Sequence, residues 1–302
     1  MWFWLSLIAL LCWSGSDLFS KIGCRDPGDK YSHLKMVIAV GAVMGLHAGY
    51  EIISGKAVMT WHVMLTYLPV SALYILSMTI GYIGLRYIEL SISSPICNSS
   101  GALVAVLCLI TGGAAAVNAW QKAAVALVCV GVVALGAVEA NEDDDLRALR
   151  QAESNYKYSK SVLAIALPLI YCLLDALGTF ADSLVLRKLD EDSANAAYEL
   201  TFLFCAVVCF IYVIVIKKDR FVAKQEIPKY AGAVCETAGQ YAYIFAIGDE
   251  KHVMLAAPII SAYCVASVLW SRIFLKEKLS LKHYLSIATV VAGIVILGIF
   301  DA

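Results

Sequence analysis

Four carboxylates, Asp17, Asp175, Glu199 and Glu236, interrupt stretches of this chain that are otherwise apolar. A charge at the centre of a membrane helix costs about 2.5–3.5 kcal/mol on insertion scales, so each is a candidate for function. Asp17 lies four residues after Trp13 and four before Lys21, which puts all three on one face of a helix. Asp175 lies four residues after Tyr171, so an aromatic residue precedes an aspartate by the same interval in both halves. Glu236 begins a polar stripe that continues with Gln240 and Tyr243 at i+4 and i+7. A low-dielectric cavity disfavours the charged form of a carboxylate. A proton and a cationic solute then compete for one group, which is enough to couple their movements.

Each of these residues also has a plainer reading. Asp17 can form a local salt bridge with Lys21, whereas Asp175 has no basic residue within two turns. Asp182, close to Arg187, reads as interfacial, and Glu51 and Glu89, near the ends of apolar runs, read as hydrated. Glu199 sits about one turn into its helix, where a carboxylate favours the helix dipole. Its counterpart by repeat offset is Lys35, and a Lys35–Glu199 pair across the two halves is expected. His47 reads first as a structural residue and second as a proton carrier.

The companions of the acids are aromatic and polar. Tyr67, Ser71, Tyr74 and Met78 form one helical stripe, and Tyr241, Tyr243 and Tyr263 add phenols further on. Aromatic faces attract cations, so tyrosines around carboxylates favour a cationic or zwitterionic ligand. Ordinary packing is the commoner role for any single tyrosine. Trp2, Trp4, Trp61 and Trp120 mark span ends and read as interfacial anchors.

The elements that must position these side chains follow from composition. The chain has 302 residues, 61% hydrophobic and 16% charged, with a net charge of −1. Globular chains average roughly 45–50% apolar and about 25% charged. The excess marks a polytopic membrane protein, and the charge gives no reason to expect nucleic acid. Spans of about 20 apolar residues cross a bilayer core. Ten are read, at 2–23, 33–54, 63–86, 91–111, 118–139, 162–187, 195–216, 230–248, 253–274 and 281–300. The first is taken as a membrane helix rather than a cleaved leader, because it lacks a basic start and a convincing cleavage site. The ten cysteines lie mostly within apolar runs without metal spacing, so they are read as packing residues. Pro95 and Pro258 are read near the starts of helices four and nine, where a missing N–H costs least.

The chain repeats itself. Gly131, Gly136, Glu139 and Ala140 recur 162 residues later as Gly293, Gly298, Asp301 and Ala302. Pro95 and Asn98 recur 163 residues later as Pro258 and Ser261. The most polar stretch, residues 140–160, falls between the copies. The expected fold is therefore an all-α membrane protein of ten transmembrane helices in two inverted five-helix repeats, residues 1–140 and 161–302, joined by a polar linker at 141–160. An odd number of helices per repeat is what inverts the second copy. Lys and Arg in the loops, taken at face value, put the linker in the cytoplasm and both termini outside. Gly41, Gly45 and Gly49 form a ridge suited to close helix contact.

Several segments resemble the drug/metabolite transporter superfamily, particularly its ten-helix EamA-type members. Leu11-Cys12-Trp13-Ser14-Gly15-Ser16 followed by Lys21 is similar to the family's Trp-Gly-Ser segment ending in lysine. Leu85-Arg86-Tyr87-Ile88, with the small-residue run to Pro95, resembles the junction of helices three and four. Phe274-Leu275-Lys276-Glu277-Lys278-Leu279-Ser280 resembles the junction before helix ten. The first repeat departs from the pattern, with Thr111-Gly112-Gly113-Ala114 where an acidic junction is usual. The resemblance covers essentially the whole chain. It implies a carrier of small metabolites or drugs whose central cavity is lined by helices 1–4 and 6–9. The superfamily's small multidrug relatives use a helix-one glutamate for proton exchange, and Asp17 falls in the corresponding helix.

The expected function is secondary active transport of a small cationic or zwitterionic metabolite or drug by alternating access, coupled to protons as an antiporter. Asp17, Asp175, Glu236, Glu199, Gln240, Trp13, Tyr171, Asn98, Tyr74, Tyr243 and Tyr263 are the expected binding residues. No metal, cofactor or enzymatic activity is expected, and no ATP-binding motif is present. The partners are the bilayer, the solute and protons, with a homodimer left open. The expected location is a bacterial cytoplasmic (inner) membrane, as an integral plasma-membrane protein. The alternatives are an intramembrane aspartyl-type enzyme, with Asp17 and Asp175 sharing a proton, or a non-transporting sensor or partner protein.

Overall fold

The structure, a computed structural model, describes residues 1–26, 28–87, 90–111, 118–140, 162–248, 251–275 and 279–300. The linker at 141–160, Ile88, Glu89, the junction at 112–117, Lys276–Lys278 and the terminal Asp301 and Ala302 lie outside those residues.

Twelve α-helices are described. In the first half they are α1 (Trp2–Cys24), α2 (Ser32–Ile53), α3 (Trp61–Tyr87), α4 (Leu90–Cys97), α5 (Ser100–Ile110) and α6 (Ala119–Ala140). The second half holds α7 (Val162–Val185), α8 (Glu191–Phe210), α9 (Ala223–Ile247), α10 (Val253–Ser261), α11 (Tyr263–Phe274) and α12 (Leu281–Phe300). A π-helical turn, Ile211–Ile216, prolongs α8. Among the described residues there is no strand. Such long apolar runs become helices because a bilayer offers no partner for a free backbone amide, and a helix satisfies its own.

Among the described residues, eight helical segments are long and apolar enough to cross a membrane. Two of the ten expected spans fall short of that measure. α9 carries Glu226, Lys229, Glu236 and Gln240, all buried, so its polarity faces inward. The apolar run of α12, Leu281–Leu297, is shorter than the others. Outward-facing Leu11, Leu65, Val130, Leu173 and Phe204 are exposed, leaving an apolar surface that suits hydrocarbon.

The spans expected at 91–111 and 253–274 are each two helices rather than one. α4 gives way to α5 at Asn98 and Ser99, and α10 to α11 at Ala262. Pro95 and Pro258 lie inside the preceding short helices rather than at their starts. Each removes one backbone donor from the ladder and crowds the carbonyl four residues back. Asn98 Nδ2 reinforces the first break by donating to the Ser94 carbonyl at 2.7 Å.

Helices of one half pack on helices of the other: α1 on α9, α2 on α8, α3 on α7, α4 on α11, α5 on α10 and α6 on α12. Small residues bring them close. A Cβ at Gly41 would lie 2.7 Å from the Phe202 carbonyl oxygen of α8, while the same atom at Gly49 would meet nothing within 4 Å. Gly131 of α6 abuts Val290 of α12, and Gly293 of α12 abuts Val128 of α6. At the start of α8, Asp190 accepts the Ser193 amide at 2.8 Å, an N-cap backed by Glu191 and Asp192 in the first turn.

Of the expected anchors, Trp4, Trp61 and Trp120 are exposed. Trp2 is not: it is 6% exposed and stacks on His252, with ring centroids 5.0 Å apart. The loop that leads into α10 brings His252 over it. Glu51, expected to be hydrated, is also buried, because Lys56 reaches back to it at 3.2 Å.

Candidate functional site

Between the halves lies a cavity of about 930 Å³, its opening included, with walls from α1, α3, α4, α5, α7, α8, α9, α10 and α11. Its walls are built by helical periodicity. Trp13, Ser16, Asp17 and Ser20 recur at three- and four-residue steps along α1 and share one face. Tyr171, Asp175 and Thr179 do the same on α7, and Glu236, Gln240 and Tyr243 on α9.

Asp17 ties both halves together. Its Oδ2 accepts the Ser94 hydroxyl of α4 at 2.6 Å and the Ser267 hydroxyl of α11 at 2.8 Å. Asn98 extends the chain by donating to Ser94 Oγ at 3.2 Å. Lys21, the expected local partner of Asp17, donates to the Leu85 carbonyl at 2.8 Å. Asp175 lies beside Ser100, and Glu236 beside Ser16 and Trp13. Asp17 is thus held by neutral hydroxyls.

Aromatic rings line the same space as the acids. Trp13 sits against Tyr243, with centroids 5.1 Å apart, and edge-on to Tyr263 at 5.8 Å. The Tyr74 hydroxyl bonds to that of Tyr243 and donates to Thr179 Oγ1 at 3.0 Å. Deeper, Tyr67 donates to Asp182 Oδ1 at 2.8 Å. Asp182, expected at the interface, is 0% exposed, because the α3–α7 contact encloses it with that tyrosine.

Ten of the eleven expected site residues line this one cavity: Asp17, Asp175 and Glu236, then Trp13, Tyr74, Asn98 and Tyr171, then Gln240, Tyr243 and Tyr263. Glu199 stands apart from that lining, and its neighbour Tyr198 lines the space in its place. Residues missed by sequence reasoning include Ser16, Ser20, Ser94 and Tyr82. Ser16 and Ser20 lie at i−1 and i+3 from Asp17, and Ser94 lies in the small-residue run before Pro95, so weak signals existed.

The expected Lys35–Glu199 pair does not form. His47 Nδ1 lies 2.9 Å from both Glu199 oxygens, and Asn195 Nδ2 donates to Glu199 at 3.1 Å. Lys35 instead meets Asp29 Oδ1 at 3.0 Å and Asp219 Oδ2 at 3.2 Å, and donates to the Arg220 carbonyl at 2.9 Å. α2 and α8 run antiparallel, so Lys35 at the start of α2 lies by the end of α8. His47 is twelve residues on, roughly 18 Å along the helix.

Lys229 completes this second cluster, 2.8 Å from Asp29 Oδ2 and 3.2 Å from Glu226 Oε1. In the loop before α9, partial burial pushes the Asp219 carboxyl up, but the Arg220 amide and the Lys35 ammonium outweigh it and hold it below its ordinary value.

A crystal structure aligns with 98% of this chain and 96% of its own length, at 14% identity and a TM-score of 0.65, which shows a shared fold. No curated protein matches the sequence. Residues 162–299 match the model of the EamA-like transporter family, and that match supports membership of the drug/metabolite transporter superfamily.

Proposed function

We propose that this protein is a secondary active transporter of a small cationic or zwitterionic metabolite or drug, coupled to protons and working by alternating access. The observation that carries the reading is the meeting of Asp17, Asp175 and Glu236, from three helices of both halves, in one aromatic-lined cavity. No Lys, Arg or His is among the described residues that line it. The match to a transporter family fits the same reading.

Two inverted five-helix repeats, residues 1–140 and 161–302, would supply the moving parts. The pairing of helices supports this, because it maps onto itself when the halves are exchanged. α1 on α9 becomes α7 on α3, and α4 on α11 becomes α10 on α5. The carboxylates of Asp17, Asp175 and Glu236 would bind solute and proton in alternation, with Gln240, Asn98 and the aromatic residues orienting the solute. Glu199, held by His47 away from the cavity lining, would act on the α2–α8 contact rather than on the solute.

Purified protein in proteoliposomes tests the reading. Addition of a transported amine is expected to move protons in the opposite direction, and Asp17→Asn and Asp175→Asn are expected to abolish this movement. Uptake that ignores the pH gradient and survives both substitutions would remove the coupling.

A further inference from the structure

We infer that the preferred cargo is a linear diamine or polyamine, an organic cation with two or more ammonium groups spaced along a methylene chain. This deepens the transport reading above and rests on it. Three carboxylates stand on three different helices, α1, α7 and α9, around one space, and no described lining residue carries a positive charge. A monocation pairs with one such group and leaves the others to be neutralised by protons. A ligand with several ammonium groups meets more than one at once. An α-amino acid would bring its own carboxylate into the same space, where no described lining residue is basic.

A second, independent observation points the same way. Ser20 Oγ and the Tyr82 hydroxyl belong to side chains that line the cavity, are at most 6% exposed, and have no hydrogen-bond partner for those atoms. Buried polar groups ordinarily find partners. Hydroxyl oxygens accept the N–H groups that an ammonium has left over after meeting a carboxylate. Between the charged ends, Trp13, Tyr243 and Tyr263 offer faces and edges to methylenes and to the ammonium groups themselves.

The test is calorimetric titration of the purified wild-type protein in detergent with 1,4-diaminobutane, 1,5-diaminopentane and spermidine. Butylamine, pentylamine and tetraethylammonium serve as monovalent probes, and alanine and leucine as zwitterions. Diamines are expected to bind at least about tenfold tighter than monoamines of equal length, a difference of about 1.4 kcal/mol. Glu236→Gln, checked for a cooperative melt, is expected to shrink that ratio toward one. Equal affinity for monovalent and divalent amines would overturn the polyamine assignment and leave cation transport standing. Binding of zwitterions alone would overturn the assignment while sparing the broader transport reading. Failure of every amine and zwitterion to bind a protein that melts cooperatively would overturn both.

Discussion

The Lys229 ammonium lies 2.8 Å from Asp29 Oδ2, with neither side chain exposed. The other oxygen of Asp29 faces Lys35 at 3.0 Å, so one carboxylate joins the start of α2 to the start of α9. A buried pair of this kind contributes little net stability while intact, but breaking it is expensive. Replacing Lys229 with Met removes one of the two cations beside Asp29. A loss of about 3–5 kcal/mol is expected, read as a lowered melting midpoint in detergent. An unchanged midpoint would mean that Asp29 is hydrated in solution.

The same cluster carries a pH dependence through Asp219. Its folded value lies below its unfolded one, so the folded state binds fewer protons at acidic pH. Its contribution is fully present above the unfolded value of about 3.9 and is lost as pH falls through the depressed folded value. Asp219→Asn is therefore expected to lower the melting midpoint at pH 6 and to have a shrinking effect as the pH falls below about 3.9. A difference between variant and wild type that stays constant with pH would contradict this.

The glycine ridge of α2 should be uneven in its tolerance. Gly41 faces the Phe202 carbonyl and the Ala206 methyl of α8, and Gly49 faces open space. Gly41→Leu overpacks the contact and is expected to cost about 1–3 kcal/mol. Gly49→Ala is expected to be neutral or slightly stabilising, by up to about 1 kcal/mol from helix propensity alone. Thermal melts of the two variants side by side would decide the matter.

Tyr74 tests the wall of the cavity. Its hydroxyl bridges α3 to α7 through Thr179 and to α9 through Tyr243. Tyr74→Phe keeps the ring but leaves the Tyr243 hydroxyl short of a partner, at a cost of about 1–3 kcal/mol. Transport is expected to fall more than stability, seen as reduced initial uptake at a temperature where the variant remains folded. Uptake at the wild-type rate would remove Tyr74 from the proposed solute pathway.

Much of the site was legible because charge in an apolar helix is conspicuous. Asp17, Asp175 and Glu236 stood out by cost, and their aromatic neighbours by three- and four-residue spacing. Ser94 and Ser267 were not legible, since serine is common in membrane helices and nothing local marks the two that reach Asp17. The breaks at Asn98 and Ala262 were missed because a proline near a helix start is ordinarily harmless, and what matters here is how far inside the short helix it lies. Lys35 and Glu199 illustrate another limit. Positions matched by sequence offset need not touch: on antiparallel α2 and α8 they lie toward opposite ends, and each has another partner.

The contact between α6 and α12 carries one more consequence. Gly131 rests on Val290 and Gly293 rests on Val128, and both glycines and both valines differ by 162 in number. Contact i to j is answered by contact j to i, the hallmark of an isologous interface between identical subunits. Here both faces of the seam belong to one polypeptide. A bulky residue at either glycine therefore wedges open the same seam from opposite sides, and the two lesions act on one shared surface rather than adding as independent faults.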